Sequence, residues 1–296
     1  MSSTKRKPRL RRSRFIRRFL LTNRDIEIIH HVFRHRYLRS THIHRLVGGS
    51  KQGILRRLQL LYHHGYLDRP LVQLEYFSKR HNKPLVYGVA RKGAQILIEE
   101  CAIPKERINW MLGKRTKSVF LEHTLEIADF MVNIETKWIK ESGYDLIREE
   151  TLQANHRTLS RWKVQLRQNT QQVTHYIEPD GLFALKLPAK PNEEIGIILE
   201  VDRGTMPVTR KNLHHSSIQR KLLAYERLWK QGFFKKNYGW KRIRILFIIA
   251  SSNPAKRKIK ISKTFDQFKP AHGLFLIEDN ENFTTALIHT LLNGNS

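Results

Sequence analysis

The sequence predicts an α+β to α/β protein in two parts. Three observations carry this prediction: three helical stretches are followed by two strands around a basic turn; two long apolar strand runs near residues 195–202 and 243–249 flank a helix; and 55 Lys and Arg face 26 Asp and Glu, a net charge of +29 over 296 residues. A chain of this length suggests two ordinary domains, each large enough to bury its own core.

The charge surplus points to a polyanionic partner, and nucleic acid, here DNA, is the expected one. A basic membrane-surface protein would need an amphipathic helix with a broad apolar face or a lipidation signal, and the sequence has neither pattern. Nor does any apolar run approach the roughly 20 residues of a membrane span. The N-terminus lacks the apolar core and small-residue cleavage site of a signal peptide, so a cytoplasmic protein associated with the nucleoid or a plasmid is expected. Cys101 is the sole cysteine, which excludes an internal disulfide and a thiolate zinc knuckle.

Residues 1–20 form a basic arm with Arg11 and Arg12 among its nine cations and no acid. Such an arm either lies along phosphates or in a minor groove, or serves as a solubilising tail. Thr22 and Asp25 then form a capping-box start for a helix carrying Ile26, Ile29, Phe33 and Tyr37. A short helix follows Ser40 with Ile43, Leu46 and Val47 inward, ended by Gly48-Gly49. Ser50 caps a third helix whose apolar stripe is Ile54, Leu58 and Leu61. Gln52, Arg56, Gln59 and His63 recur on another face, beside Arg57, and would enter a major groove. After Gly65, Tyr66-Leu67 begins a strand, Pro70 to Tyr76 is expected to continue extended, and Leu85 to Val89 returns after a turn carrying Lys79 and Arg80. Three helices and a hairpin with a basic tip make a winged helix-turn-helix over residues 21–102, closed by a helix from Arg91. Residues 103–117 read as a polar, basic linker with Gly113 as its hinge.

Residues 118–296 read as a second domain, a mixed sheet flanked by helices. A helix spans 118–141; strands are expected at 144–149, 173–187 and 195–202; a helix at 214–231; strands at 243–249 and 273–277; and a last helix at 283–292. Between them, residues 153–172, with Trp162 between Arg161 and Lys163, read as a polar hairpin or loop that would grip a phosphate backbone or stack a base, or equally as a disordered insertion.

In this basic chain the acids at the strand ends stand out. Pro179-Asp180 lies on one strand and Glu200-Val201-Asp202 ends the next, and the alternation of a strand sends Glu200 and Asp202 to the same face. Three carboxylates there form a candidate metal site for Mg²⁺ or Mn²⁺, a hard cation that lowers the pKa of a bound water and neutralises a scissile phosphate. The alternative is a strand end that exposes two acids beside Arg203.

From Thr22 onward the chain resembles the replication-relaxation family of plasmid and mobile-element proteins. The resemblance lies in Thr22-Asn23-Arg24-Asp25, Arg56-Arg57-Leu58, His64-Gly65-Tyr66-Leu67-Asp68-Arg69, Arg91-Lys92-Gly93-Ala94, Glu122-His123 and Glu200-Val201-Asp202-Arg203-Gly204-Thr205. It implies an N-terminal winged helix and a role in plasmid replication or DNA mobilisation. Replication or mobilisation proteins, or a second copy of the chain, are expected as further partners. The second domain also resembles the PD-(D/E)xK nuclease superfamily, whose core runs helix, three strands, helix, strand. By that resemblance Asp180 and Glu200 match its acidic motifs, but Asp202 stands where the superfamily has lysine. Lys221, in Lys221-Leu222-Leu223-Ala224-Tyr225, would serve as a migrated lysine with Tyr225 on the same side. Glu126 would add a carboxylate, as in some members of that superfamily, but reads better as a solvated acid on its helix.

His42-Ile43-His44 has the form of the metal-binding strand of relaxases, but it lies in a helical segment and reads as winged-helix surface; His31 and His35 have metal-compatible spacing and weaker support still. Two function classes stay open. One is a DNA endonuclease or nickase using Asp180, Glu200, Asp202 and Lys221; the other is a non-catalytic accessory factor or regulator with a degenerate nuclease-like domain.

Overall fold

The computed structural model describes residues 9–13, 18–78, 83–112, 117–156, 161–168, 171–187, 190–265, 273–279 and 283. The chain divides into two compact units, Met1–Thr136 and Lys137–Ser296.

The first unit opens with α1 (Asn23–His35), β1 (Leu38–Arg39), α2 (Ser40–Val47) and α3 (Lys51–His64). Next come β2 (Leu67–Asp68), α4 (Gln73–Ser78), β3 (Val86–Val89), α5 (Arg91–Cys101), α6 (Lys105–Leu112) and α7 (Ser118–Asn133). Helix α1 starts where the capping residues dictate. The Thr22 N–H donates to Asp25 Oδ2 at 2.8 Å, while the Asp25 N–H donates back to the Thr22 hydroxyl at 3.4 Å. Ser50 caps α3 by accepting from the Gly53 N–H at 3.1 Å. Gly65 ends α3 at φ +84°, a conformation that strains any residue with a Cβ.

The apolar stripes of these helices meet in one core: Ile28, Ile29 and Val32 of α1, Ile43 of α2, and Ile54, Leu58 and Leu61 of α3. Beside it β3 pairs antiparallel with β1 and β2, with Leu38 opposite Tyr87 and Leu67 opposite Val89. Asp25 is fully buried in this unit and is held by Arg57 of α3, whose Nε donates to Oδ1 at 2.9 Å and whose NH2 donates to the Leu20 carbonyl at 3.0 Å.

Three expectations for this unit change. Where an extended Pro70 to Tyr76 is expected, α4 forms instead, because the Gln73 side chain supplies the pairing a strand would have given. Its Nε2 donates to the Val86 carbonyl at 3.3 Å and its Oε1 accepts from the Val86 N–H at 3.0 Å. A primary amide has the same donor and acceptor as a peptide, so the β3 edge is satisfied while the chain coils. The expected linker contains α6, started by Pro104 and pinned by buried Ile108. Helix α7, expected to open the second domain, lies in the first unit, because Ala128 and Val132 join its main core and Leu121 and Leu125 pack with Val86. The turn with Lys79 and Arg80 lies outside the described residues.

The π-helical turn Ile134–Trp138 leads into the second unit, which contains α8 (Ile139–Ser142), β4 (Asp145–Arg148), α9 (Glu149–His156), β5 (Trp162–Gln168), β6 (Gln171–Ile177), β7 (Gly181–Leu187) and β8 (Lys190–Asp202). It continues with α10 (Ile218–Lys230), α11 (Phe233–Tyr238), β9 (Arg242–Ile249), α12 (Pro254–Phe265) and β10 (Phe275–Asp279). Strand order is β10-β9-β8-β7-β4; β4, β7 and β8 form an antiparallel meander, and β8, β9 and β10 run parallel. Parallel neighbours require a crossover, which α10 supplies between β8 and β9. Gly196 in the middle of β8 lets the Trp240 ring lie on the strand, since a Cβ there would sit 2.0 Å from the ring.

The expected strand at 173–187 divides in two around a bend at Asp180, with β6 pairing β5 in a separate hairpin and β7 entering the sheet. In that hairpin Trp162, Val164 and Leu166 alternate inward. Trp162 is 3 % exposed and packs edge-on against Tyr225, Phe234 and Tyr238, so it is a core residue rather than a base-stacking one. The strand expected at 273–277 is β10, at the sheet edge, whereas α11 and α12 were not anticipated. The helix expected at 283–292 lies outside the described residues apart from Phe283.

Arg57→Ala removes the charge partner of a carboxylate with no exposed surface. It is expected to lower stability by about 3 kcal/mol, the lower end for a broken buried pair because Thr22 still bonds Asp25. Chemical denaturation of wild type and variant checks this; a loss below about 1 kcal/mol would show that the pair is not what holds α1 to α3.

Candidate functional site

Strand β8 carries an acid into the second unit's interior. Glu200, paired in register with Phe247 of β9, is 2 % exposed. An isolated carboxylate would not stay ionised there, but α10 brings it two donors one turn apart: Lys221 Nζ pairs with Oε2, and the Tyr225 hydroxyl donates to Oε1. The helix is placed to do so by its own start, where the Ser217 side chain accepts from the Arg220 N–H at 3.1 Å.

Asp180 sits at the bend before β7. Its backbone N–H donates to the Leu199 carbonyl at 3.0 Å, and its Oδ2 accepts from the Val201 N–H at 2.8 Å. These bonds flank Glu200 on both sides and fix Asp180 against the strand that carries it. Burial, the main cause, pushes the Glu200 carboxyl from 4.5 up to about 7; the Asp180 charge adds to this, and Lys221 and Tyr225 oppose it. For Lys221, burial favours loss of the proton, but the charges of Glu200 and then Asp180 override it and hold the ammonium above its ordinary value. Burial and the Glu200 charge raise the Tyr225 hydroxyl well above its usual range, so it stays a donor.

Asp202, expected as a third carboxylate of this site, has a different partner. Arg257 of α12 binds it with two hydrogen bonds, Nε to Oδ2 at 2.6 Å and NH2 to Oδ1 at 3.0 Å, and also bonds the Met206 carbonyl at 2.6 Å. The Gly204 N–H donates to Asp202 Oδ1 at 3.2 Å. Asp202 thus anchors the start of the loop that leads to α10. Arg220 orders the end of that loop through the Leu213 and His214 carbonyls and the Ser216 hydroxyl. His175 of β6 adds a group the sequence did not single out: burial, then Arg220 and Lys221, lower its pKa to about 4. Arg257 had no local signal, because it depends on α12, which the pattern did not resolve; His175 lies within the expected strand at 173–187, but nothing in that stretch shows that β6 would bring it to Arg220 and Lys221. Glu126 lies on α7, in the first unit.

The residues expected to meet DNA divide by environment. Gln52 and Arg56 are exposed on α3 and Gln59 is half-buried. His63 is 2 % exposed and its Nδ1 accepts from the Ser13 N–H at 3.1 Å, so it holds the arm rather than facing solvent. Arg57 is committed to Asp25 and lies 4.5 Å over the Phe19 ring. Arg12 donates to the Tyr62 and Leu67 carbonyls at 3.0 and 3.2 Å and pairs with Asp68 while staying exposed, as Arg11 is. His42 of the His-Ile-His segment bonds Asp129 at 2.6 Å, and His44 bonds the Gly49 carbonyl at 2.9 Å, which gives both structural partners.

Because Glu200 keeps its proton to higher pH in the folded chain than in the unfolded one, its contribution to stability is complete below 4.5 and is lost as pH rises through about 7. Glu200→Gln cannot ionise. The difference in melting temperature between variant and wild type should therefore shift in the variant's favour from about pH 5 to about pH 8. A difference that stays constant over that range contradicts the raised carboxyl.

No described helix is long and apolar enough to cross a membrane. No curated protein and no solved structure matches the chain. The family described as replication-relaxation does match, over residues 29–242. That match starts within α1, crosses both units and ends at the first residue of β9, covering more than half of the sequence, and the chain belongs to the replication-relaxation family.

Proposed function

We propose that this protein binds DNA of a plasmid or other mobile element, acts in its replication or mobilisation, and cuts DNA with a divalent cation held by Asp180 and Glu200. The observation that carries the reading is the meeting of Lys221 and Tyr225 with Glu200 beside Asp180, on a sheet in which an antiparallel meander is followed by a helix and a parallel strand. That order is the one expected for a PD-(D/E)xK nuclease core. Membership of the replication-relaxation family supports the biological setting.

The donor set suits the cation. Two carboxylates offer hard oxygen ligands with lone pairs beyond those used by Lys221, Tyr225 and the Val201 N–H, which fits Mg²⁺ or Mn²⁺. When bound, such an ion supplies an activated water and neutralises charge on the scissile phosphate. The chain's own groups do the rest. Lys221, held protonated by Glu200 and Asp180, presents a fixed positive charge toward which a phosphate oxygen can be drawn as charge develops. Tyr225 fixes the orientation of Glu200, and Asp180 is fixed by the β8 backbone, so neither acid has to reorganise during the reaction.

The basic charge, the α1–α2–α3 order and the small antiparallel sheet support a winged-helix reading of the first unit, with Gln52, Arg56 and Gln59 of α3 as base-reading candidates. A non-catalytic scaffold is favoured by one observation, the guanidinium of Arg257 at Asp202 where a third acid ligand was expected.

Nicking of supercoiled plasmid in Mn²⁺ separates these readings. Asp180→Asn and Glu200→Gln should abolish cleavage and leave DNA binding intact or tighter, because each removes a negative charge facing phosphate. Lys221→Ala should slow cleavage by on the order of 10²–10³ while sparing Mn²⁺ affinity. If the wild-type protein binds DNA but cuts no single-stranded, double-stranded or branched form with Mn²⁺ or Mg²⁺, the scaffold reading replaces the nuclease one.

A further inference from the structure

Away from the acids of the second unit, the first unit gathers a different set of ligating groups. His31 and His35 lie one turn apart on α1, and the π-helical turn after α7 brings Glu135 to them, so that one ligand atom from each lies within 4.8 Å of the others. We propose that His31, His35 and Glu135 form a Zn²⁺ site that clamps α1 to the end of α7.

The geometry of each member fits. His35 Nε2 and Glu135 Oε1 are 3.2 Å apart, a separation typical of two ligands on one tetrahedral ion with bonds of about 2.0–2.2 Å. Two such bonds span at most about 4.2 Å, so a small rotation of His31 completes the site. The two oxygens of Glu135 are divided: Oε2 faces Arg34 at 3.6 Å, which leaves Oε1 as the one turned to the histidines. His31 Nδ1 is buried and has no hydrogen-bond partner among the described residues, an arrangement that costs stability unless something binds there. The His31, His35 and Glu135 side chains are 14, 5 and 4 % exposed, so a bound ion would be largely shielded from water.

The ligand types select the metal. Two imidazoles and one carboxylate suit Zn²⁺, whereas Mg²⁺ takes oxygen donors almost alone. The site differs from that of a zinc hydrolase. There a glutamate general base follows the first histidine of a His-x₃-His helix; here Val32 follows His31 and is fully buried in the core. A structural role results. A π-helical turn inserts a residue and rotates the helix beyond it, and Glu135 is the second residue of this one. The ion would thus lock together two helices of the first unit, α1 and α7, with the π turn positioning its third ligand.

The test uses the full chain carrying Asp180→Asn and Glu200→Gln, so that the acids of the second unit do not take up metal. Added Zn²⁺ should bind at one site per chain and raise the melting temperature, Mg²⁺ should do neither, and Co²⁺ should give the visible absorption of a tetrahedral site. His35→Ala or Glu135→Gln in that background should weaken Zn²⁺ binding by more than about 100-fold, beyond what loss of a supporting residue causes, and cancel the rise. Replacing His214 and His215, an exposed pair elsewhere, should change nothing. The proposal is overturned if Zn²⁺ is not bound, if binding survives both ligand replacements, or if it is lost with His214 and His215. Should a ligand variant not fold, X-ray absorption of the zinc-loaded parent decides: two imidazoles, a carboxylate oxygen and one further oxygen from water support the site, and a shell without two imidazoles overturns it.

Discussion

A carboxylate with 2 % of its surface exposed persists only if donors come to it, and the second unit is arranged so that they do. Glu200 lies on β8, the middle strand of five, and its partners Lys221 and Tyr225 lie on the helix that must cross from β8 to β9. The topological need for a crossover and the electrostatic need for a cation are met by the same element. Removing only one of the charged partners would leave the other buried without compensation, which is the expensive case. Replacing both by apolar groups would cost far less, so the pair is better explained by what it does to Asp180 and Glu200 than by stability alone.

The first unit solves a similar problem with a different result. Asp25 caps α1, is fully buried and is bonded by Arg57 of α3, so a capping residue doubles as the link between two helices. Arg39 and His42 meet Asp129 of α7 in the same way. Such pairs use up cations that composition alone would assign to DNA. Arg57, Arg12 and His63 hold the protein together, whereas Gln52, Arg56 and Arg11 remain available at the surface. A charge of +29 thus sets the sign of the partner to be expected without saying which side chains would touch it.

Much of this was legible in local pattern. Thr22 with Asp25, Ser50, and Gly65 are short-range signals, and each fixes a helix end where it is found. The runs Ile195 to Asp202 and Ile243 to Ile249 are apolar because both faces of their strands are covered, and they appear as the inner strands β8 and β9. What escaped depends on tertiary partners. The hairpin reading of residues 153–172 agrees with the β5–β6 pair, but its polar residues hid the alternation of Trp162, Val164 and Leu166, and only the aromatic cluster around Trp162 shows which side is inside. Gln73 replaces a strand by a side-chain bond that no periodicity encodes. Arg257 reaches Asp202 from an element 55 residues later, and spacing of the two acids on one strand face could not reveal which would be claimed by an arginine.

Whether Asp180 and Glu200 hold a cation is tested most directly by anomalous diffraction from crystals of the protein soaked in Mn²⁺. A single anomalous peak about 2.0–2.6 Å from a carboxylate oxygen of each residue is expected, the range of hard cations with oxygen ligands. Crystals with no peak between Asp180 and Glu200, while Lys221 and Tyr225 still bond Glu200, would show that the buried acid serves the fold and not a metal.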